Sequence, residues 1–259
     1  MTPSPVIRWP AEAIWEAVAP MLPGFTVEIL PEIDSTNTEL MRRARAGRLE
    51  PVLLVAEAQI AGRGRLGREW RSAPGNSLTF SLGLPLAPKD WSGLSLAVGV
   101  SVAESLHPEI GLKWPNDLWW QDRKLAGILI ETAMFGIQRY AVIGVGVNIA
   151  QRDATGLSTP PVGLQELLPG IDAAQTLLRV AAPLVQTVHA FQTFGFAPFA
   201  ARFRARDVLR DRAVTLSDGL QGTACGVDPS GALLVHTAAG MKHVTSSEVS
   251  VRPRPAAES

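Results

Sequence analysis

Two stretches of this sequence carry side chains whose types and spacing suit the binding of an anion. Residues 62–68 read Gly-Arg-Gly-Arg-Leu-Gly-Arg, with Arg71 just beyond. Glycines let a backbone approach a ligand closely, and arginines present forked donors to carboxylate or phosphate, so the stretch reads as an anion cradle. A run of charge is more often a solvated turn. The cradle is favoured here because glycines alternate with arginines directly after an apolar run, with Trp70 following. Gly62, Gly64 and Gly67 also satisfy G-x-G-x-x-G, but a dinucleotide site needs a helix to open at the third glycine. Trp70, Pro74, Gly75 and Asn76 follow instead, and there is no closing Gly-Lys-Ser/Thr for a Walker A loop. The second stretch, residues 113–131, reads KWPNDLWWQDRKLAGILIE. Trp114 and Pro115 fix an extended turn presenting Asn116 and Asp117, and Lys124 opens an apolar run beside Ala126 and Gly127. A lysine at a strand end ordinarily reaches water along its own stem, and alone that is the simpler reading.

The elements that must position these residues can be read from pattern. Thr36 and Glu39 have capping-box spacing, so a helix is predicted to start there and stop at Gly47. Val52 to Ala58 is expected as a buried strand leading into the loop 60–76, with Ser77 to Leu86 as the next strand. Ala11 to Ala19 and Trp91 to His107 have helical spacing, the latter with Ser92 as its cap. Leu112 to Trp114 is extended because Pro115 disfavours helix before it. Leu118 to Trp120 and Leu125 to Thr132 read as strands around the turn Gln121-Asp122-Arg123, and Tyr140 to Ile149 as a further strand. Residues 151–170 form a long loop rich in Pro, Gly, Thr and Ser. Ala173 to Phe194 is helical in pattern, with Pro183 expected to bend or interrupt it, and a shorter helix spans Ala197 to Arg206. After Asp211 come short β runs, Ala213 to Leu216, Thr223 to Val227, Ala232 to His236 and His243 to Val251, which suggest a small antiparallel barrel.

Composition narrows the function. Lys+Arg and Asp+Glu both number 24, so no global field draws the chain to nucleic acid or to an anionic membrane, and a basic site must be local. The single cysteine, Cys225, excludes an internal disulfide and a cysteine-based zinc site, and it is expected as a small buried hydrophobe. The four histidines lack metal-ligand spacing. The N-terminus has no unbroken apolar run for a secretion signal, and no uncharged apolar stretch is long enough to cross a bilayer, so a cytoplasmic protein is expected.

Taken together, the motifs resemble the biotin–protein ligase family. They are Asp34-Ser35-Thr36-Asn37, Glu57-x-Gln59-x-Ala61-Gly62-Arg63-Gly64-Arg65-x-Gly67-Arg68-x-Trp70, Lys113-Trp114-Pro115-Asn116-Asp117, Lys124-Leu125-Ala126-Gly127-Ile128-Leu129 and Gly144-x-Gly146-x-Asn148. They occur in the family's order across residues 34–149, and the co-ordered set is specific where any one motif is weak.

The resemblance implies an α+β fold: a catalytic domain like that of class II aminoacyl-tRNA synthetases, with a mixed sheet and flanking helices, and a small SH3-like C-terminal β-barrel. The expected organisation is an extension over 1–33, a catalytic domain over 34–210, the barrel over 211–253 and a disordered tail over 254–259. The implied activity joins biotin to a lysine of a biotin carboxyl carrier domain through biotinyl-5′-AMP, with biotin and ATP as substrates and Mg2+ assisting. Arg65 and Lys124 would hold the biotin carboxylate and the bridging phosphate. Asp117 would sit near the reacting bond, orienting magnesium or the incoming lysine. Ser35, Thr36 and Gln59 would hydrogen-bond the ureido ring, with Asn37, Gly62, Arg63, Gly64 and Gly127 also in the biotin pocket. Arg63, Arg68, Trp70, Asn116 and Asn148 would join Arg65 and Lys124 around the adenylate. The arginine loop would close over that intermediate.

Family members with a repressor function carry an N-terminal DNA-binding module, and 33 residues before Asp34 are too few for it, so no nucleic-acid partner is expected. The family covers adenine with a loop after the Gly-x-Gly-x-Asn strand, where residues 151–164 offer Pro160, Pro161 and Val162 but no tryptophan. Monomers and dimers both occur in the family, so a homodimer stays open. A lipoate or octanoate transferase is the nearest rival, but it leaves Ser35, Thr36 and Gln59 unexplained. A non-catalytic nucleotide-sensing or DNA-binding protein is opposed by the neutral net charge.

Overall fold

A computed structural model describes residues 7–157, 159–245 and 251–253. A seven-stranded sheet is its centre. The strands are β1 (Thr26–Ile33), β2 (Val52–Gln59), β3 (Ser77–Pro85), β4 (Gly111–Lys113), β5 (Asp117–Trp120), β6 (Arg123–Phe135) and β7 (Gln138–Asn148), in the order β1-β2-β3-β7-β6-β5-β4. β1 runs parallel to β2 and every other pair is antiparallel, so the sheet is mixed. The helices are α1 (Ala11–Val18), α2 (Thr36–Arg45), α3 (Leu94–Leu106), α4 (Ala173–Phe194) and α5 (Ala197–Arg204).

The two faces of the sheet differ in chemistry, and period-2 alternation explains how. On β3, Leu78, Phe80, Leu82 and Leu84 point into the main core shared with α1, α3 and α4, while Ser77, Thr79, Ser81 and Gly83 point to the other face. There α2 covers one half, packing Leu40, Met41 and Ala44 on Val52, Leu54, Tyr140 and Val142. The remaining half carries Thr79, Gly127, Gly144, Gly146 and Asn148 and is left open. The alternation thus makes a polar, glycine-lowered floor.

Beyond α5, strands β8 (Ala213–Leu216), β9 (Gln221–Val227), β10 (Leu233–Thr237), β11 (Gly240–Val244) and β12 (Val251–Pro253) form an antiparallel sheet ordered β11-β10-β9-β8-β12. Its apolar face, including Val214, Leu233 and Val251, joins the main core. Trp114 Nε1 donates to Gly231 O at 3.0 Å, tying this sheet to the turn before Asn116.

Several expectations change. β1 was not anticipated: TVEILPEI holds Pro31 and two glutamates, and only an edge position, paired on one side, tolerates that. The cap of α2 is Ser35, one residue before Thr36, whose hydroxyl is turned to Gln59 and Ser81; Glu39 pairs instead with Arg42 and Arg43. α3 starts after left-handed Gly93, and Ser92 donates its N–H to Asp90 rather than capping. α4 runs through Pro183 as one helix. Cys225 is exposed, because on β9 it alternates with buried Ala224 and Gly226. The run His243 to Val251 divides between β11 and β12, and its residues 246–250 lie outside the described residues, as does the expected tail.

Candidate active site

The open half of the sheet floors a cavity of about 430 Å³. Ser35, Thr36, Asn37, Gln59, Arg63, Gly64, Arg65, Arg68, Trp70, Asn116, Asp117, Lys124, Gly127 and Asn148 all line it. Of the residues expected there, Gly62 does not. It lies beneath the loop, where a Cβ would stand 2.2 Å from Trp70 O and 2.8 Å from Gln59 Nε2. That close approach is what requires glycine.

At one end the groups are neutral and polar. Gln59, at the end of β2, accepts through Oε1 from Thr36 N (2.8 Å) and from Thr36 Oγ1 (3.1 Å). Ser81 Oγ lies 2.7 Å from both Thr36 Oγ1 and Asn37 Oδ1. Asn37 is consumed by the protein: Nδ2 donates to Leu129 O and to Glu131 Oε2, and Oδ1 accepts from Ser81. Its amide therefore builds the wall and has no hydrogen bond left to give. Gly144 makes room for it, since a Cβ there would sit 2.2 Å from Asn37 Oδ1.

At the other end cations converge on one carboxylate. The strand pair β5–β6 slips register between Leu118 and Trp119, leaving Leu125 as the extra residue. This bulge turns Lys124 to the face that holds Asp117 and Gly127, and Lys124 Nζ lies 2.7 Å from Asp117 Oδ1. Lys113 Nζ is 3.9 Å from Asp117 Oδ2 and sits over the Trp119 ring. Burial pushes the Lys113 ammonium down to about 8; Asp117 opposes this, and Lys124, Arg68 and Arg65 add to it. Burial likewise lowers Arg65, which Asp117 partly restores and Arg68 lowers further. Arg65 Nη1 donates to Asn116 Oδ1 at 3.3 Å, and Asn116 is held by Ile128 through its Nδ2 and its carbonyl. Charges of one sign packed this closely repel one another, and an added anion relieves that repulsion. A chain of zero net charge thus gathers a local cluster of positive charge.

The arginine loop closes on itself. Gly64 N donates to Arg68 O at 2.7 Å, Trp70 N to Gly62 O at 2.8 Å, and Arg65–Gly67 is a single 3-10 turn with Leu66 at φ 56°. Trp70 lies on Gly146, where a Cβ would meet its ring at 2.4 Å, and Arg152 covers it at 5.5 Å from the ring centroid. Trp70 Nε1 is buried without an acceptor, an orphaned donor at the cavity. Asn148 donates to Lys124 O and accepts from Arg152. The segment after it is pinned to β6 by Lys124 N→Pro160 O and Val162 N→Lys124 O.

Several residues of the site carry no signal in the sequence. Lys113 stands in its motif with no role visible from sequence, and its burial emerges only in the fold. Ser81 and Thr79 look like ordinary strand residues. Arg152 and Leu157 come from the long loop, and Arg252 from β12, far away in sequence. Of the candidates for covering a base, Pro161 lines the cavity, whereas Val162 is fully buried in the core and does not reach it.

Residues 29–148 match the biotin/lipoate A/B protein ligase family, and residues 211–252 match the biotin protein ligase C terminal domain. The chain belongs to the biotin/lipoate A/B protein ligase family. It is 37% identical over 244 residues to the bifunctional ligase/repressor BirA of Escherichia coli, covering 89% of this chain and 75% of that protein. It is 32% identical over 240 residues to the biotin–[acetyl-CoA-carboxylase] ligase of Paracoccus denitrificans, covering 85% of this chain and 98% of that one. Among solved structures, the biotin protein ligase of Aquifex aeolicus in complex with biotin and ATP superimposes with a TM-score of 0.74 at 29% identity, covering 88% of this chain and 99% of that chain.

Proposed function

We propose that the protein is an ATP-dependent biotin protein ligase. It activates biotin as biotinyl-5′-AMP and transfers the biotinyl group to a lysine of a biotin carboxyl carrier domain. The observation that carries this reading is one cavity with two chemistries: neutral hydrogen-bonding groups at Thr36 and Gln59, and a cation cluster around Asp117.

In the first step a biotin carboxylate oxygen attacks the α-phosphorus of ATP; the bond to the β-phosphate oxygen breaks and pyrophosphate leaves. Charge develops on the phosphates, and fixed cations stabilise it without reorganising. Lys124, held on its face by the bulge, and Arg65, steered by Asn116, are the groups we assign to the carboxylate and the bridging phosphate. Lys113 and Arg68 add charge beside them, and Arg252 brings a further cation from β12. In the second step the acceptor amine attacks the acyl carbonyl, AMP leaves, and the amine loses a proton. Ser35, Thr36 and Gln59 are assigned to the ureido ring, Gly64 and Gly127 to the backbone around it, and Trp70 and Asn148 to the adenylate.

Both oxygens of Asp117 already face lysine ammonium groups, so it fits poorly as a metal ligand, and no cluster of metal-ligating side chains exists among the described residues. Magnesium in this reading arrives on the phosphates of ATP, as part of the substrate. Asp117 instead holds the two lysines and stands ready for the incoming amine.

The reading includes a catalytic unit related to class II aminoacyl-tRNA synthetases, residues 34–210, followed by an SH3-like barrel, residues 211–253. DNA binding forms no part of it, because the cations are gathered inside a cleft on a chain of zero net charge. No helix among the described residues is long and apolar enough to cross a membrane. The need for ATP supports a cytoplasmic location, and the outer edge of β1 is where a second copy would add a strand to make a homodimer.

Lipoate is the substrate to exclude. Pyrophosphate exchange into ATP should depend on biotin and stay at background with lipoate or octanoate at equal concentration. Equal exchange with lipoate would overturn the assignment of Thr36 and Gln59 to a ureido ring.

A further inference from the structure

Glu131, on β6, is not itself among the groups assigned to the chemistry above, yet its carboxylate is divided between two parts of the site. Oε1 accepts from Arg63 Nη2 at 2.9 Å, on the arginine loop. Oε2 accepts from Asn37 Nδ2 at 2.9 Å, in the wall beside Thr36. Asn37 in turn accepts from Ser81, whose Oγ can accept from Thr36 Oγ1 at 2.7 Å, and the Thr36 backbone N–H donates to Gln59. A continuous hydrogen-bonded chain therefore runs from the ureido-facing wall to the loop, and Glu131 is its one charged link. Only an anion serves both neighbours, because Arg63 and the Asn37 amide both donate. The Arg63 guanidinium, turned to Glu131 and to Thr38 Oγ1 at 3.3 Å, is directed to the wall of the cavity.

We infer that Glu131 is a positioning residue that clasps the arginine loop to the biotin-head wall, so that filling the wall and keeping the loop closed reinforce each other. The inference rests on the biotin ligase reading. A bound head group orders Thr36 and Gln59, this orders Asn37 and Glu131, and Glu131 fixes Arg63. Coupling of this kind is reciprocal: closing the loop must tighten the head site by the same factor.

The test uses Glu131→Gln, which keeps shape and removes charge, together with Arg63→Met, Arg63→Lys and the double variant Glu131→Gln/Arg63→Met. Each is assayed for release of preformed biotinyl-AMP and for KM and kcat in biotin-dependent pyrophosphate exchange. Because the pair is partly exposed, release and the KM for biotin should rise by about three- to tenfold in Glu131→Gln and in Arg63→Met. The rise in KM should exceed any fall in kcat. The double variant should be no worse than the worse single variant, and Arg63→Lys, which keeps the cation, should recover most of the retention. A merely structural glutamate would lower the yield of folded protein without this pattern. Wild-type retention in both single variants, or effects that add in the double variant, would overturn the clasp while the wild-type activity still stands. An inactive wild type would remove the ligase reading and the clasp with it. Should Glu131→Gln fail to fold, Arg63→Met, altered at a half-exposed side chain, decides alone.

Discussion

Lys124 and Gly127 share one face of β6, although they are three positions apart and a regular strand would set them on opposite faces. The extra residue, Leu125, is buried in the core and absorbs the slip, so that the Lys124 ammonium stands 3.3 Å from where a Gly127 Cβ would be and 2.7 Å from Asp117. The strand-end lysine, which alone would be read as a solvated charge, is thereby aimed at the carboxylate it pairs with.

Lys124→Gln should therefore fail in chemistry before it fails in folding. Adenylate formation should drop by about 10²- to 10³-fold, the scale of losing one preorganised donor to developing charge. The melting temperature should stay close to wild type, because the side chain is partly exposed and its partner keeps Lys113 nearby. Single-turnover formation of biotinyl-AMP, read beside a thermal melt, checks both halves.

Lys113 gives a pH dependence with a defined sign. Its ammonium is depressed to about 8 in the protein without substrate, so it loses its proton as the pH rises through that value. A phosphate beside it favours the charged form and raises it again. ATP affinity should then fall as the pH rises above 8, and binding near that pH should take up about half a proton. Folding stability moves the other way: between about 8 and the ordinary lysine value the unfolded chain holds more protons, so stability rises with pH there. Calorimetry of ATP binding at pH 8 in two buffers of different ionisation enthalpy measures the uptake, and Lys113→Met should abolish the difference between them.

The glycines of β7 are spacers. In Gly146→Ala the new methyl would meet the Trp70 ring at 2.4 Å, and the indole must move off the floor of the cavity. Overpacking of this kind costs about 1–3 kcal/mol, to be divided between stability and ligand affinity. ATP titrations should show weaker binding with the fold retained. Unchanged affinity would mean that Trp70 is no part of the pocket.

Arg65→Gly removes the loop's most buried cation and its hold on Asn116. Biotinyl-AMP should still form, more slowly, and escape, acylating lysines of bystander proteins. Mixing the variant with an unrelated lysine-rich protein and measuring its biotinylation tests this; labelling no greater than with wild type would count against a closing role for residues 62–71.

Much of this was legible in the sequence because its motifs are local. The arginine loop, the KWPND turn and the Lys124 strand each carry their chemistry within a few residues, and strand alternation around them follows from apolar spacing. What was hidden is long-range. Glu131 looks like any strand glutamate until Arg63 and Asn37, 68 and 94 positions away, are brought to its two oxygens. Gly144 and Gly146 read as a motif, but the reason for each is another side chain's volume, Asn37 for one and Trp70 for the other. β1 was missed because Pro31 and its glutamates hide the pattern of a strand paired on one side. Cys225 was placed inside on residue type alone, where the alternation of β9 turns it out.

The central claim is tested most directly by incubating the protein with labelled biotin, ATP and a biotin carboxyl carrier domain, then locating the label by mass spectrometry. The account predicts ATP-dependent amide formation at a single lysine of the carrier, with none when that lysine is replaced by arginine. No label on the carrier, from protein shown to be folded, would contradict it.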